Sequence, residues 1–153
     1  MLVAVVALAA CGGASPAAQP VTGDGFRFEA PGGWKVERTA RLVRASDGDV
    51  DLVSVRAFPL VKAYRPELFA ATSRELDRAA SELADQLGGN VAGSDTVRAA
   101  GGDVRSYRIE YDGKVEEITF VLRGKREYEL LCRRDADGSR NACKRLVRTF
   151  EPA

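Results

Sequence analysis

The fold turns on the stretch PELFAATSRELDRAASELADQLGG, residues 66–89. Phe69, Thr72, Leu76, Ala79, Ala80, Leu83 and Leu87 recur at spacings of three and four, so a helix gathers them into one apolar stripe. Arg74, Asp77, Arg78, Ser81 and Asp85 fall on the opposite side. Pro66 suits the first turn, where its missing N–H would have no partner anyway. Gly88 and Gly89 end the helix, because glycine adopts the left-handed conformation that a C-terminal cap needs. A long helix with one apolar stripe must bury it against another layer.

The segments on both sides supply that layer. Upstream, Phe26 and Phe28 alternate with Arg27 and Glu29, the period of a half-buried strand. Pro31-Gly32-Gly33 turns the chain before Trp34, whose position predicts deep burial. Val36 to Arg44 reads as a second strand and Val50 to Phe58 as a third, with Val53, Val55 and Ala57 on one face. Downstream, a short strand is expected near Asp95 to Ala99, then Val104 to Tyr111 with Tyr107, Ile109 and Tyr111 inward. Asp112-Gly113 is a hairpin signal leading into Val115 to Arg123, and Gly124-Lys125 a second one leading into Glu127 to Cys132. That makes a three-stranded meander. A polar loop, Asp135 to Ser139, precedes a final helix with Cys143, Leu146, Val147 and Phe150 on one face. The predicted class is α+β: a twisted antiparallel sheet with one long helix and a C-terminal helix packed against it.

Leu2 to Ala10 is uncharged and apolar, about the length of a signal-peptide core and short of the ~20 residues that span a bilayer. It ends in Leu8-Ala9-Ala10-Cys11, which resembles the lipobox of bacterial lipoproteins. The resemblance implies diacylglycerol on Cys11, and two acyl chains hold where one binds only reversibly. Residues 1–10 are therefore read as a lipoprotein signal peptide, 11–23 as the lipidated cysteine and a flexible tether, and 24–153 as one domain. The expected location is the cell envelope, anchored to a membrane and facing the periplasm or the exterior. With Cys11 acylated, Cys132 and Cys143 remain as a pair in an oxidising compartment. The periodicities aim both side chains into the same strand–helix interface, which favours a disulfide over two buried thiols or an under-liganded metal site.

Composition narrows the chemistry. Lys plus Arg is 23 and Asp plus Glu is 22 in 153 residues, a net charge of +1. Nucleic-acid binding usually demands a strongly basic face, so nucleic acid is not an expected partner. Histidine is absent, which removes the commonest general base, metal ligand and pH switch. Asp47, Asp49 and Asp51 alternate like a calcium loop, but its glycine position holds Leu52 and its bidentate glutamate position Phe58. They read as a solvated hairpin tip. Glu116 and Glu117 are adjacent, so they point to opposite faces of a strand and cannot act as a pair. No nucleophile has a base at a recognisable spacing. The expectation is a protein without enzymatic activity, cofactor or metal. Arg133, Arg134, Arg140, Lys144, Arg145 and Arg148 crowd the last strand and helix. They read either as a solvated face or as a patch for anionic headgroups or cell-wall polymers.

Phe26, Phe28, Pro31, Gly33, Trp34 and Val36 spell F-x-F-x-x-P-x-G-W-x-V. This resembles the opening of the PsbP-like fold, shared by an extrinsic photosystem protein, a Ran-binding nuclear-import factor and many small bacterial lipoproteins. The order of strands, long helix, meander and terminal helix is similar over Gly25 to Phe150, and Thr149-Phe150 resembles the way such chains close. The resemblance implies a non-catalytic docking fold with no shared cofactor. The function expected is a lipid-anchored module that binds an envelope protein or a small hydrophobic ligand. The alternatives are a carboxylate-dependent envelope hydrolase acting on polysaccharide, and a passive structural lipoprotein.

Overall fold

The computed structural model describes residues 17–153. Cys11, the residues read as a signal peptide and the beginning of the expected tether lie outside the described residues. The tether reading needs correction at its other end. Gln19–Gly23 is a strand, β1, that pairs antiparallel with β2, Phe26–Ala30. Val21 is buried in the core although its neighbours are polar or small. One apolar side chain is enough here because β2 supplies the hydrogen-bonding ladder.

Strands β3 (Lys35–Arg38), β4 (Leu42–Asp47) and β5 (Asp51–Pro59) follow. The single strand expected over Val36 to Arg44 is broken at Thr39–Arg41. There the Thr39 N–H donates to the Leu42 carbonyl at 2.8 Å, and the Leu42 N–H returns a bond to Thr39 Oγ1 at 3.2 Å. A one-turn 3-10 helix at Pro66–Leu68 leads into α1, Phe69–Gln86. Then come β6 (Asn90–Ala99), β7 (Gly102–Tyr111), β8 (Lys114–Arg123), β9 (Arg126–Asp135), α2 (Asn141–Thr149) and the two-residue β10 (Glu151–Pro152). The meander has four strands, because β6 starts directly after Gly89 and runs for ten residues. A bulge between Val91 and Gly93 interrupts its register with β7.

Seven strands form one antiparallel sheet in the order β3-β4-β5-β9-β8-β7-β6, and β1-β2-β10 form a small second sheet. The chain leaves β5, passes through α1, restarts at the far edge and meanders back. β9 then closes on β5, pairing Val53 with Cys132 and Val55 with Leu130. Strand alternation sends side chains to both faces, and each face has its own core. On one, Leu76, Ala80 and Ala84 of α1 pack against Tyr107, Ile109, Ile118 and Phe120. Ala79, placed in the stripe from the sequence, is exposed, and Ala84 completes the buried stripe instead. Tyr107 Oη and Arg105 both donate to Asp77 Oδ1 at 2.6 Å, which pins the margin of α1 to the sheet.

On the other face, the small sheet and α2 cover Val43, Ala45, Val53, Val55, Tyr128 and Leu130. Phe26, Tyr128 and Phe150 meet there, with Tyr128 edge-on to both partners at centroid distances of 6.0 and 5.3 Å. Burying each such ring contributes on the order of 1.5–3 kcal/mol. Trp34 is only half-buried at the edge of this cluster, not deep within it as its sequence position suggests. Each cover lies over only a portion of its face: α1 lies over β6 and β7, while α2 packs on β2, β9 and β5. Beside α2, the sheet is left open.

Candidate functional site

Helix α2 is fixed in place by covalent and apolar contacts together. Cys132 on β9 and Cys143 on α2 are joined by a disulfide, with Cα atoms 5.2 Å apart. Leu146 and Phe150 enter the core below it. Thr149 Oγ1 accepts the Glu29 N–H at 2.9 Å and donates to the Arg145 carbonyl at 2.8 Å, tying the last turn to β2. Between α2 and the open strands runs a groove of about 520 Å³. Val97 and Ala99 of β6 and Ser106 of β7 form its floor, and Cys143 and Val147 the helical wall. Arg140, Lys144 and Arg148 recur at four-residue steps, so they stand on one side of the helix along the rim. The Ala99–Gly102 turn closes one end, with Ala100 and Gly101 both in the left-handed region at φ 50° and 79°.

Glu117 sits at the groove's inner edge. Both of its carboxylate oxygens accept from Arg140 at 2.8 Å, and Arg134 adds a contact at 3.3 Å. Burial pushes the Glu117 carboxyl up, but hydrogen bonds and charge from Arg140 and Arg134 outweigh it and hold the group below its ordinary range. Beside it, the Ser106 and Thr119 hydroxyls bond each other at 2.9 Å. The carboxylate is therefore charged and compensated, and one floor hydroxyl is already engaged.

The six basic residues grouped from the sequence do not form one patch. Arg134 is 7% exposed and also donates to the carbonyls of Asp135, Ala136 and Gly138, where it organises the loop before α2. Arg133 lies on the opposite face, bonded to the Val50 carbonyl at 3.1 Å and 3.7 Å from Glu116. Arg145 leans towards Glu29 at 3.8 Å. Arg140 faces the groove but is held by Glu117. Among the described residues, neither Lys144 nor Arg148 forms an ion pair. Those two are the cations the groove can offer.

Glu116 and Glu117 do point to opposite faces: the Tyr111 hydroxyl donates to Glu116 at 2.8 Å on the α1 side. Asp47 and Asp51 face each other at the tip of the β4–β5 hairpin, with Gly48 turning at φ 67°. Sequence reasoning missed the groove floor and a second feature, Glu127 and Glu129 on the open portion of the α1 face. Burial raises both carboxyls above their ordinary range; Glu129 adds to the rise at Glu127, while Arg56 partly opposes it at Glu129. Their positions were signalled by the inward Tyr128 and Leu130, which force the intervening glutamates together onto the other face.

No protein-family model matches the chain, and comparison with curated proteins returned no match. Among solved structures, it is similar to a crystal structure of a protein from Bacteroides thetaiotaomicron VPI-5482, at 15% identity and a TM-score of 0.59. The match covers 84% of this chain and 45% of that one, so this chain spans less than half of that structure's length. At such identity the likeness carries the fold alone: a mixed α+β domain of antiparallel sheets, one long helix and a short C-terminal helix.

Proposed function

We propose that the protein is a lipid-anchored cell-envelope lipoprotein, and that its PsbP-like domain is a non-catalytic binding module whose site is the α2 groove. The observation that carries the reading is the pairing of two uncommitted cations, Lys144 and Arg148, with an apolar floor in a 520 Å³ cavity. Small-molecule sites commonly combine an apolar lining with a few convergent polar groups in cavities of roughly 300–1,000 Å³. Glu117 supports binding over catalysis, since a carboxylate held ionised by two guanidinium groups is a poor proton donor. The Cys132–Cys143 bridge suits an oxidising compartment. No helix among the described residues is long and apolar enough to cross a membrane, and the proposed attachment rests on Leu8-Ala9-Ala10-Cys11.

Two measurements test this reading. Cys11→Ser should move the protein to the soluble fraction and abolish labelling by a fatty-acid analogue; equal membrane retention overturns the anchor. The small-molecule fraction of an envelope extract should raise the melting temperature of the wild type but not of Lys144→Glu/Arg148→Glu. A passive structural lipoprotein would show no rise in either.

The alternative of a carboxylate-dependent hydrolase acting on polysaccharide draws on Glu127 and Glu129. A strand rises ~3.3 Å per residue, so two same-face neighbours stand about 7 Å apart, within the spacing of an inverting acid–base pair. Hydrolysis of an envelope polysaccharide that is lost in Glu129→Gln would favour it.

A further inference from the structure

We infer that the α2 groove takes a small anionic amphiphile: a single carboxylate or phosphate head seated on Lys144 and Arg148, with a short apolar body along Val97, Ala99 and Val147. The inference deepens the binding-module reading and rests on it.

The whole chain is nearly neutral, yet the groove is lined by Arg98, Arg140, Lys144 and Arg148 against one carboxylate, Glu117. Two of these cations are spent within the protein: Arg140 on Glu117 and Arg98 on Asp103 at 3.0 Å. Lys144 and Arg148 remain, one helical turn apart on the same side of α2, and both are exposed. Two adjacent like charges repel each other, and an anion between them relieves that repulsion while accepting charge-assisted hydrogen bonds. A cationic or neutral head gains neither.

The apolar surface fixes the other half of the ligand. Strand alternation turns Val97 and Ala99 towards the groove, and Val147 faces them from the helix. Ser106 spends one hydroxyl contact on Thr119, which leaves the floor poor in free donors. A fully polar anion such as inorganic phosphate would satisfy the rim and leave this floor wet. An amphiphile removes it from water, a gain that grows with the apolar area covered. The cavity is also rigidly framed: the disulfide holds the helical wall, and the Glu117–Arg134–Arg140 cluster ties the start of α2 to β8.

The test uses the full chain carrying Cys11→Ser, which has no acyl group of its own, and four probes below their micellar concentrations: dodecanoate, dodecyl phosphate, dodecanol and dodecyltrimethylammonium. Inorganic phosphate and anionic lipid vesicles form two further arms. Saturable one-to-one binding of dodecanoate or dodecyl phosphate, with amide shifts at Val97, Ser106 and Lys144, is expected. Whichever of the two binds more tightly separates a carboxylate from a phosphate source. Lys144→Glu/Arg148→Glu should weaken binding about tenfold or more, the loss expected for charge-assisted contacts. Lys62→Glu/Lys125→Glu, with the same change in net charge at two residues that do not line the groove, should leave it unchanged. Circular dichroism and an intact disulfide confirm that each variant folds. Equal binding of dodecanol or the ammonium amphiphile overturns the anionic ligand but leaves the groove as a binding site. Binding to vesicles or inorganic phosphate alone overturns the amphiphile. Absence of groove shifts with every probe overturns this inference, and the binding-module reading falls with it only if the envelope extract also leaves the melting temperature unchanged.

Discussion

Tyr107 reaches out of the core to place its hydroxyl 2.6 Å from Asp77, and Arg105 reaches the same oxygen from further along the strand. Burial and the bond to Asp77 push the tyrosine up to about 12, so it stays a donor at any ordinary pH. The same bonds, first from Tyr107 and then from Arg105, hold Asp77 below its usual range. Tyr107→Phe should therefore cost about 1 kcal/mol, the net worth of one such bond, measured by chemical denaturation at neutral pH. A carboxylate lowered in the folded state stabilises above its unfolded value, and that contribution is lost as pH falls through the folded one. The gap between Tyr107→Phe and wild type should accordingly shrink below about pH 4, where Asp77 is protonated in the unfolded chain. Glu129 behaves in the opposite sense. Its folded value is raised by burial, so its contribution is greatest at low pH and falls as pH rises through that value. Glu129→Gln should be more stable than wild type at pH 7, with the difference vanishing by about pH 4 in thermal melts. Of these residues, the sequence showed that Tyr107 points inward and that Glu116 and Glu117 diverge, because strand alternation alone decides both. It did not show the partner of Asp77, or that Trp34 sits at the rim of its cluster, since those depend on how far each covering element extends.

At the scale of elements, α2 is the piece most dependent on one bond. It is nine residues long, too short to be stable alone, and only Cys143 and Leu146 are buried along it. Replacing both cysteines by alanine should cost about 3 kcal/mol, since the bridge closes a loop of sequence separation 11. Amide exchange should accelerate first in Cys143–Thr149, with α1 unaffected; uniform acceleration would show that the helix is not a separate local unit. The helices and most strands were legible because their periods are strong. The β1 strand was not, because Gln19–Gly23 has a single buried side chain and the composition of a linker. The split between β3 and β4 was also hidden, since it is made by hydrogen bonds of Thr39 that no periodicity records.

For the molecule as a whole, β8 and β9 send alternate side chains into both cores: Ile118 and Phe120 against Val121, Leu131 against Leu130. Neither core can dissolve without releasing strands that the other needs. Trp34 fluorescence, which reports the α2 side, and helical circular dichroism, dominated by α1, should give coincident unfolding midpoints; separated midpoints would show two independent units. The pairing of β5 with β9 that unites the sheet was beyond the sequence, because it joins segments separated by the helix and three strands. The groove was illegible for the same reason, as β6 and α2 meet only through that closure. The bulge in β6 bears on how these molecules behave in company. A sheet of seven strands ends in two edges, and the ten-residue edge is the one able to template fibrous stacking between neighbours. Ala92, unmatched in the β6–β7 register, bends that edge away from flatness, and Asp95 and Arg98 add charge along it. Deleting Ala92 would straighten the edge and shift the residues before it to the other face. Light scattering of concentrated samples should then rise with time, whereas the intact chain stays clear.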